Sequence, residues 1–261
     1  MSLENFDTIK NISFDLKNEK MKKRLDKILC YQYPLWSRSY IQEVIHQGLV
    51  KVNGIVQLKS SYQVSDIDCV DADIKHPQFV SRAGYKLDYA LREFNCSVKD
   101  LVALDSGLST GGFTDCLLQH GARHVYGVDV GTAQVHKKIS LSKRVTVIEQ
   151  TDLRDVKIDQ LVDIVTLDLS FISLLKVMAA VRALIRDGGH LIVLIKPQFE
   201  VGKENIGSQG IVYNENIRDE TVQRVIAGIQ SYNFELKEWI VSPMTGKTGN
   251  TEYLAYFVCV K

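Results

Sequence analysis

Four charged residues stand where side chains could do chemistry, either at the ends of predicted strands or ahead of the first one. They are Lys86, Asp168, Lys196 and Glu252. The carboxyl ends of parallel strands meet at one edge of a sheet. Asp168 and Lys196 each end a predicted strand, so we expect both of them at that edge. Any one of these charges alone would be typical of a solvated surface residue.

Two lysines and two carboxylates together suit the activation of a weak nucleophile, such as a ribose 2′-hydroxyl that attacks a sulfonium methyl. A lysine can act as the base when desolvation and a second cation bring its pKa towards neutrality. Alternatively, both lysines stay charged and stabilise the developing alkoxide. The carboxylates would orient the ammonium groups in either mechanism, and the sequence leaves both mechanisms open.

A glycine-rich loop follows the first predicted strand, where ligands bind in sheets of this kind. The residues that could hold a ligand are Asp105, Gly107, Ser109, Thr110, Gly111 and Gly112. The loop is not a dinucleotide fingerprint, because Ser109 stands where that motif needs a glycine, and no Gly-Lys-Ser/Thr closes it as in a P-loop. A purely structural turn is the alternative interpretation.

Acidic residues also follow the second and third predicted strands. Asp129 could accept hydrogen bonds from two ribose hydroxyls, and Asp152 from an adenine amino group. Carboxylates disfavour a phosphate ligand, so the pattern suits an adenosine without phosphates. S-adenosylmethionine fits this description, and its carboxylate could meet the amides of Gly111 and Gly112 at a helix N-terminus. The sequence therefore predicts S-adenosylmethionine as the cofactor.

The elements that must position these residues alternate between strand and helix. Predicted strands lie near 101–104, 124–129, 145–148, 163–168, 190–195, 236–241 and 253–260, and predicted helices end near 118 or cover 174–185 and 217–231. Continuous apolar strands separated by helices predict an α/β fold with a Rossmann-like sheet. We expect this sheet to be mostly parallel, with an antiparallel edge from the last two strands.

A smaller, basic α+β unit precedes this sheet. Apolar residues recur at helical spacing from Leu25 and again from Ile41, with Ser37 as a predicted N-cap. Asn53-Gly54 predicts a hairpin turn. Seven basic and two acidic residues lie between positions 21 and 62. This local excess of positive charge indicates either a nucleic-acid interface or an ordinary solvated face.

Composition excludes several classes of protein. The 261 residues are 45% hydrophobic and carry a net charge of +1, so a sizeable core is expected and wholesale disorder is not. No apolar run approaches the roughly 18–20 residues of a membrane span, and the first twenty residues contain no signal-peptide core. The five cysteines have no metal-ligand spacing, so we expect reduced thiols, no metal site, no membrane association and a cytoplasmic location.

The smaller unit resembles a known RNA-binding family over residues 22 to about 72. The matching motifs are Arg24-Leu-Asp26, Ser37-Arg38 and Ile45-x-x-Gly48-x-Val50-x-Val52-Asn53-Gly54. They resemble the S4 domain, named after a small-subunit ribosomal protein. The resemblance implies contacts with RNA phosphates from Lys23, Arg24, Arg38 and Lys51, which position an RNA and read little of its sequence.

Four further motifs extend the resemblance over residues 22–261. They are Ser81-Arg-x-Gly-x-Lys-Leu87, Ser109-Thr-Gly-Gly-Phe-Thr-Asp115, Lys196-Pro-Gln-Phe-Glu200 and Gly249-Asn-x-Glu252. Together they resemble the TlyA (haemolysin A) family of rRNA methyltransferases, whose catalytic domain is similar to FtsJ-type 2′-O-methyltransferases. The resemblance implies a catalytic tetrad of Lys86, Asp168, Lys196 and Glu252. It also implies a donor site lined by Asp105, Gly107, Asp129 and Asp152.

Two positions depart from the pattern of this family. Ala83 stands where glycine is common, and Leu108 stands where a small residue is usual. A leucine beside the methionine part of the donor would be expected to crowd it.

The resemblance implies a methyltransferase that modifies a ribose 2′-hydroxyl of ribosomal RNA at a cytidine, with rRNA or a ribosomal subunit as partner. It implies an extension over 1–20, an RNA-binding domain over 21–77 and a methyltransferase domain over 78–261. Three alternatives remain. The first is an inactive RNA-binding assembly factor, which only Leu108 supports. The second is a pore-forming haemolysin, but the sequence shows no membrane segment that would support it. The third is a pseudouridine synthase, which the strand–helix alternation disfavours.

Overall fold

The computed structural model describes residues 22–33, 38–46, 48–72, 78–246 and 248–261. The predicted N-terminal extension, the Ser37 cap and the boundary before Gln78 lie outside these residues. The described residues form two compact units, one up to Ala72 and one from Gln78. Each unit has its own apolar core.

The N-terminal unit combines two helices with short antiparallel strands. Its elements are β1 (Lys23–Arg24), α1 (Leu25–Gln32), α2 (Arg38–His46), β2 (Val50–Val52), β3 (Ile55–Val56), β4 (Gln63–Val64) and β5 (Val70–Ala72). β2 lies between β3 and β5, and β1 pairs with β4. Asn53 and Gly54 have φ values of +52° and +79°. These are the left-handed conformations of a two-residue hairpin turn, so this prediction is confirmed.

The C-terminal unit alternates strands and helices. Its elements are α3 (Arg82–Glu93), β6 (Val102–Ser106), α4 (Gly112–Gln119), β7 (His124–Val128), α5 (Lys137–Ser140), β8 (Val145–Ile148), β9 (Val162–Leu167), α6 (Met178–Leu184), β10 (Ile185–Ile195), α7 (Pro197–Glu200), α8 (Glu215–Gln230), β11 (Phe234–Val241) and β12 (Tyr253–Cys259). Short 3-10 turns cover Leu153–Asp155, Leu174–Lys176 and Lys203–Asn205. Among the described helices, none is long and apolar enough to cross a bilayer.

The seven strands form one sheet in the order β11-β12-β10-β9-β6-β7-β8. The five strands from β8 to β10 run parallel, and β12 is antiparallel to both of its neighbours. The predicted Rossmann-like sheet with an antiparallel edge is therefore confirmed. After β8 the chain returns to the other side of β6, which makes the gap between β6 and β9 a switch point. Ligands bind outside the carboxyl ends of the strands at such a point.

Helices cover both faces of the sheet. Along β6, Val102 and Leu104 pack into one cluster with residues of α6 and α8, while Ala103 packs into another with residues of α3 and α4. Successive side chains of a strand point to opposite faces. Strands buried on both faces need no polar positions, which explains the continuous apolar runs in the sequence.

β10 is longer than predicted, and the helix before it is shorter. The sequence predicted a helix over 174–185 that ends at a Gly-Gly pair. Instead, Ile185 already pairs with β9, the register then shifts, and regular pairing resumes at His190. Gly188 has a φ of +75°. The two glycines therefore lie at an irregularity inside the strand. The local sequence pattern does not distinguish this role of glycine from the end of a helix.

Candidate active site

The glycine-rich loop after β6 lies directly against the end of β9. Gly107 has a φ of +87°, and a Cβ atom there would collide with the carbonyl oxygen of Asp168. The N–H of Asp168 donates to the carbonyl of Ser106 at 3.0 Å. Only glycine permits this approach without strain. The loop therefore places the predicted donor site next to one of the predicted catalytic carboxylates.

The two glycines at the start of α4 are needed for packing. Gly111 is left-handed, with a φ of +93°, and its N–H donates to the carbonyl of Leu108 at 2.7 Å. This amide is therefore not available to a donor carboxylate. A Cβ on Gly112 would collide with the Ser81 hydroxyl and lie 3.0 Å from the Cβ of Ala83. Gly112 thus accommodates the unusual Ala83 where α3 crosses α4.

Asp105 lies beneath the loop rather than on its surface. Its side chain is fully buried, and its oxygens accept hydrogen bonds from the hydroxyls of Thr114 at 2.7 Å and Thr166 at 3.0 Å. Burial raises the pKa of Asp105 to about 6, although the threonine hydrogen bonds oppose this rise. The structure gives Asp105 a role in joining β6 to α4 and β9. Asp105 was predicted to line the donor site, but its side chain is not exposed to a ligand there.

Asp129 holds the middle of the loop at the end of β7. Its Oδ2 accepts the N–H of Ser109 at 2.7 Å, and its Oδ1 accepts the N–H of Gly131 at 2.7 Å. Ser109 has a φ of +48°. Its hydroxyl lies 3.5 Å from the Oε1 of Gln134, and the carbonyl of Thr110 accepts the N–H of His136. Each carboxylate oxygen can accept two hydrogen bonds, so Asp129 keeps capacity for two ribose hydroxyls.

Asp152 is engaged by a residue that the sequence did not single out. Arg154 donates to both carboxylate oxygens through its guanidinium at 2.8 Å, and again through its backbone N–H at 2.9 Å. The side-chain hydrogen bonds from Arg154, followed by the backbone one, lower the pKa of Asp152 to about 2. An adenine amino group would therefore share this carboxylate with Arg154.

Leu108 does not project into the loop. It is buried, and its methyl groups lie within 3 Å of the place that a Cβ of Gly127 would take. Gly127 of β7 therefore provides the space for this side chain underneath the loop. The crowding of the donor that was expected from Leu108 is not seen, because the side chain offers no surface to a ligand.

Lys196 and Asp168 form an ion pair at the ends of β10 and β9. The Nζ of Lys196 lies 2.6 Å from the Oδ1 of Asp168, and the two side chains are 11% and 16% exposed. Nζ also donates to the hydroxyl of Ser170 at 3.0 Å. Asp168 Oδ1 is buried and accepts no well-aligned hydrogen bond within the described part of the chain. Charge attraction rather than hydrogen-bond geometry thus holds this pair.

Lys86 and Glu252 form a second and deeper ion pair. Lys86 reaches Glu252 from α3, and both side chains are buried. Ile195 pairs with Tyr253 across the antiparallel strands β10 and β12. Lys196, directly after β10, and Glu252, directly before β12, are therefore neighbours at this edge of the sheet. The tetrad predicted from the sequence therefore appears as two lysine–carboxylate pairs along one edge of the sheet.

An exposed aromatic side chain beside these pairs was missed by sequence reasoning. Phe171 is 91% exposed and has a φ of +67°, a conformation that is rare for bulky residues. Its ring centroid lies 5.1 Å from that of Phe199. The available signal was its place three residues after Asp168, but sequence alone predicted neither the exposure nor the turn.

Asn250 explains part of the Gly249-Asn-x-Glu252 motif. It is buried, accepts the N–H of Val212 at 3.0 Å, and donates to the carbonyl of Gly210 at 2.8 Å. These bonds connect the segment before α8 to the segment that carries Glu252. The motif asparagine therefore supports the position of Glu252.

The basic residues predicted to meet RNA differ in their surroundings. Arg24 and Arg38 both donate to the fully buried carboxylate of Asp26, whereas Lys23 and Lys51 are exposed. Burial alone would raise the pKa of Asp26, but hydrogen bonds from Arg24, Gln42 and Arg38 hold it below its ordinary value. Two of the four predicted RNA contacts therefore also stabilise the N-terminal unit.

One mixed cluster brings together potential metal ligands that sequence spacing did not reveal. Ligand atoms of Asp88, Cys116 and His120 lie within 4.8 Å of one another between α3 and α4. Asp88 already pairs with Arg92, and with His120 at 2.8 Å, and Cys116 belongs to the apolar core. These contacts account for the cluster as a polar network that joins two helices.

Comparison with known families identifies both units. A model described as FtsJ-like methyltransferase matches residues 79–259, and an S4 domain model matches residues 23–68. Hemolysin A of Brachyspira hyodysenteriae is 36% identical over 239 residues, which is 90% of this chain and 99% of that protein. The 16S/23S rRNA (cytidine-2′-O)-methyltransferase TlyA of Mycobacterium tuberculosis is 36% identical over 224 residues, 84% of each chain.

Solved structures agree with this assignment. A Streptococcus thermophilus protein named as a hemolysin is 37% identical, with a TM-score of 0.73 over 92% of this chain and 89% of that chain. A Listeria monocytogenes protein described as an S-adenosylmethionine-dependent methyltransferase is 17% identical, with a TM-score of 0.53 over 69% of this chain and all of that one, and it supports the fold alone. The resemblance seen in the sequence is confirmed: the chain belongs to the FtsJ-like methyltransferase family and carries an S4 domain.

Proposed function

We propose that this protein transfers a methyl group from S-adenosylmethionine to a ribose 2′-hydroxyl of ribosomal RNA. The observation that carries the proposal is the pair of lysine–carboxylate contacts at the carboxyl edge of the sheet, beside the glycine-rich loop. Relatives named as rRNA (cytidine-2′-O)-methyltransferases support a cytidine as the target. An rRNA substrate, free or in a ribosomal subunit, implies action in the cytoplasm.

The loop fits S-adenosylmethionine in two respects. Gly107 lets the loop pack against the backbone of Asp168 at the end of β9, and Asp129 keeps acceptor capacity for two ribose hydroxyls while it anchors Ser109. Asp152 could accept from the adenine amino group alongside Arg154. When bound, the cofactor supplies an electrophilic methyl group.

Lys196 acts at the 2′-oxygen in this proposal. Its ammonium lies beside Asp168 and donates one hydrogen bond to Ser170, and an ammonium carries three N–H groups. A remaining position of the nitrogen can therefore meet the substrate oxygen, where it holds either the departing proton or the developing negative charge. Lys86, buried against Glu252, adds a second positive group at the same edge while its carboxylate partner keeps the pair neutral.

Two parts of the chain would recognise the RNA. Exposed Lys23 and Lys51 and the outer faces of Arg24 and Arg38 could contact phosphates, which gives a salt-dependent affinity with little sequence preference. Phe171, exposed beside the Lys196–Asp168 pair, could stack on an unpaired base, as aromatic side chains do in single-stranded RNA recognition.

The alternative of an inactive assembly factor loses its support. It depended on crowding by Leu108, and Leu108 packs into the space above Gly127 instead. All four tetrad residues are present and paired. Calorimetric titration with S-adenosylmethionine separates the two functions, since an inactive factor would not bind the donor even at millimolar concentration.

The experiment that tests the proposal is transfer of labelled methyl from S-adenosylmethionine to ribosomal subunits or rRNA prepared without this modification. Nuclease digestion and mass spectrometry then locate the label. We expect it on the ribose of a cytidine, in a linkage that resists alkali because the 2′-oxygen is blocked. Label on a base, or no label above background, would contradict the proposal, and lysis of red cells by the purified protein without Lys196 would revive the haemolysin alternative.

A further inference from the structure

Ser170 contacts the tetrad lysine Lys196 but is not itself a member of the tetrad. Its hydroxyl oxygen lies 3.0 Å from the Nζ of Lys196 and accepts a hydrogen bond from it. Asp168 lies closer, at 2.6 Å, but its Oδ1 accepts no well-aligned hydrogen bond within the described part of the chain. The carboxylate therefore supplies the charge that faces Lys196, and Ser170 supplies a directional bond.

A directional bond matters because an ammonium group rotates freely about its last carbon–nitrogen bond. Attraction to a single carboxylate holds the nitrogen in place but leaves its three substituents free to turn. A hydrogen bond to an acceptor such as Ser170 fixes that rotation. Once one N–H of Lys196 is held by Ser170, the other two positions of the nitrogen point in fixed directions, whether each carries a proton or a lone pair.

The backbone around Ser170 is unusual in the same place. The next residue, Phe171, has a φ of +67°, a conformation that is unfavourable for a bulky residue and occurs mainly where the surrounding structure requires it. Phe171 also packs against Phe199 of α7, the helix that directly follows Lys196. The turn that presents Ser170 thus lies next to the helix that follows its lysine partner.

We infer that Ser170 is a positioning residue that orients the Lys196 ammonium for the methyl-transfer step. This inference rests on the proposed function. Ser170 need not touch the RNA or the donor, because it acts through Lys196. Its loss should therefore reduce turnover and leave both binding steps unchanged.

The kinetic test uses single-turnover methylation of rRNA by Ser170→Ala, with donor and RNA affinities measured in parallel. We expect the rate to fall about tenfold, as for a lost hydrogen bond to a charged group, with both affinities unchanged. Ser170→Thr keeps the hydroxyl and should recover most of the rate. Ser231→Ala, which removes a hydroxyl bonded to the carbonyl of Gly228 at the end of α8, is the matched control and should behave as wild type.

A double variant shows whether Ser170 acts through Lys196. In Lys196→Ala, the further change Ser170→Ala should have no effect, since the group that it orients is gone. A wild-type rate in Ser170→Ala, or an additional slowing in the double variant, would overturn the inference. If the wild-type protein itself transfers no methyl group to rRNA, the proposed function fails instead.

The contact between Ser170 and Lys196 can also be tested by a measurement that does not depend on methyl transfer. The side-chain nitrogen resonance of Lys196 can be assigned in NMR spectra as the lysine signal that Lys196→Arg removes. We expect Ser170→Ala to shift this signal or broaden it by faster proton exchange, and Ser231→Ala to leave it unchanged. An unaltered Lys196 signal in Ser170→Ala would show that the hydrogen bond does not hold the ammonium.

Discussion

Asp26 in the N-terminal unit and Asp168 in the methyltransferase unit both face basic side chains, but their hydrogen bonding differs. Asp26 is fully buried and accepts hydrogen bonds from Arg24, Arg38 and Gln42. Asp168 Oδ1 is buried beside a single ammonium group and accepts no aligned hydrogen bond within the described residues.

Under the proposed function, the difference separates a carboxylate that stabilises the fold from one that acts in methyl transfer. The Asp26 cluster joins α1 to α2, and three side chains donate to its one carboxylate. Buried polar groups are nearly always satisfied in this way, so an exception calls for an explanation. At Asp168 the facing charge is the single ammonium of Lys196, 2.6 Å away, and in the proposed function that ammonium keeps an N–H position for the substrate oxygen.

The largest effect is expected from the matched substitutions Asp168→Asn and Asp26→Asn. Asp168→Asn removes the charge that faces Lys196 and should lower methylation at least about a hundredfold. Asp26→Asn should instead lower the stability of the N-terminal unit by about 2–4 kcal/mol, because it disrupts a buried charge network. Methylation assays and amide hydrogen exchange in α1 and α2 measure the two effects.

Either of two results would contradict this comparison of Asp168 with Asp26. Asp168→Asn with wild-type turnover would show that this carboxylate has only a structural role. Asp26→Asn with unchanged protection of α1 and α2 would show that the cluster does not stabilise the unit.

A second prediction concerns Asp129, which combines a structural and a binding role. Asp129→Ala should weaken S-adenosylmethionine binding at least about a hundredfold, since two hydrogen bonds to a charged acceptor are each worth about 1.5–3 kcal/mol. RNA affinity should not change. Calorimetric titration of both ligands checks this, with Asp129→Asn as the variant that keeps an acceptor for Ser109. Unchanged donor affinity in both variants would remove Asp129 from the donor site.

A third prediction uses the pH dependence of stability that Asp105 imposes. Its pKa is raised to about 6 in the folded chain, so the folded state binds its proton more tightly than the unfolded state does. Stability should therefore fall as the pH rises from about 4 to about 6, by as much as about 2–3 kcal/mol, and level off above that. Asp105→Asn should abolish this fall. Denaturant titrations at several pH values measure the free energy of unfolding of both proteins. If this free energy depends on pH in the same way in wild type and in Asp105→Asn, the prediction is wrong.

The smallest effect is expected from the exposed lysines of the N-terminal unit. Lys23→Ala with Lys51→Ala should reduce the salt dependence of RNA binding by about two phosphate contacts and leave folding and donor affinity intact. Arg24→Ala with Arg38→Ala is a poorer test, since it also leaves the buried Asp26 unpaired. A full salt slope in the double lysine variant would show that these lysines do not contact RNA.

Much of the fold could be predicted because its determinants are local. The apolar strands of the sheet, the Asn53-Gly54 turn and the glycine loop are all encoded within a few neighbouring residues. The same holds for Asp168 and Lys196, whose places at strand ends follow from where the apolar runs stop. The parallel sheet then brings these ends to one edge.

What could not be predicted depends on partners distant in the sequence. The hydroxyl of Thr166 engages Asp105 from 61 positions away, and Gly127 receives Leu108 from a neighbouring strand. Arg154 lies only two positions from Asp152, but nothing in the local pattern indicates that its guanidinium turns back. Such contacts depend on how the side chains pack in the folded chain. The sequence therefore predicted the positions of Asp105, Leu108 and Asp152 but not the contacts that determine their roles.

The most direct test of the central claim is single-turnover methylation of rRNA by Lys196→Ala, with donor and RNA affinities measured on the same samples. Lys196 is proposed to act only as the 2′-oxygen loses its proton, so the rate should fall at least about a hundredfold while both affinities stay nearly intact. Substantial recovery in Lys196→Arg would identify a charge stabiliser rather than a base, because a guanidinium keeps its proton near neutral pH. A wild-type rate in Lys196→Ala would contradict the account.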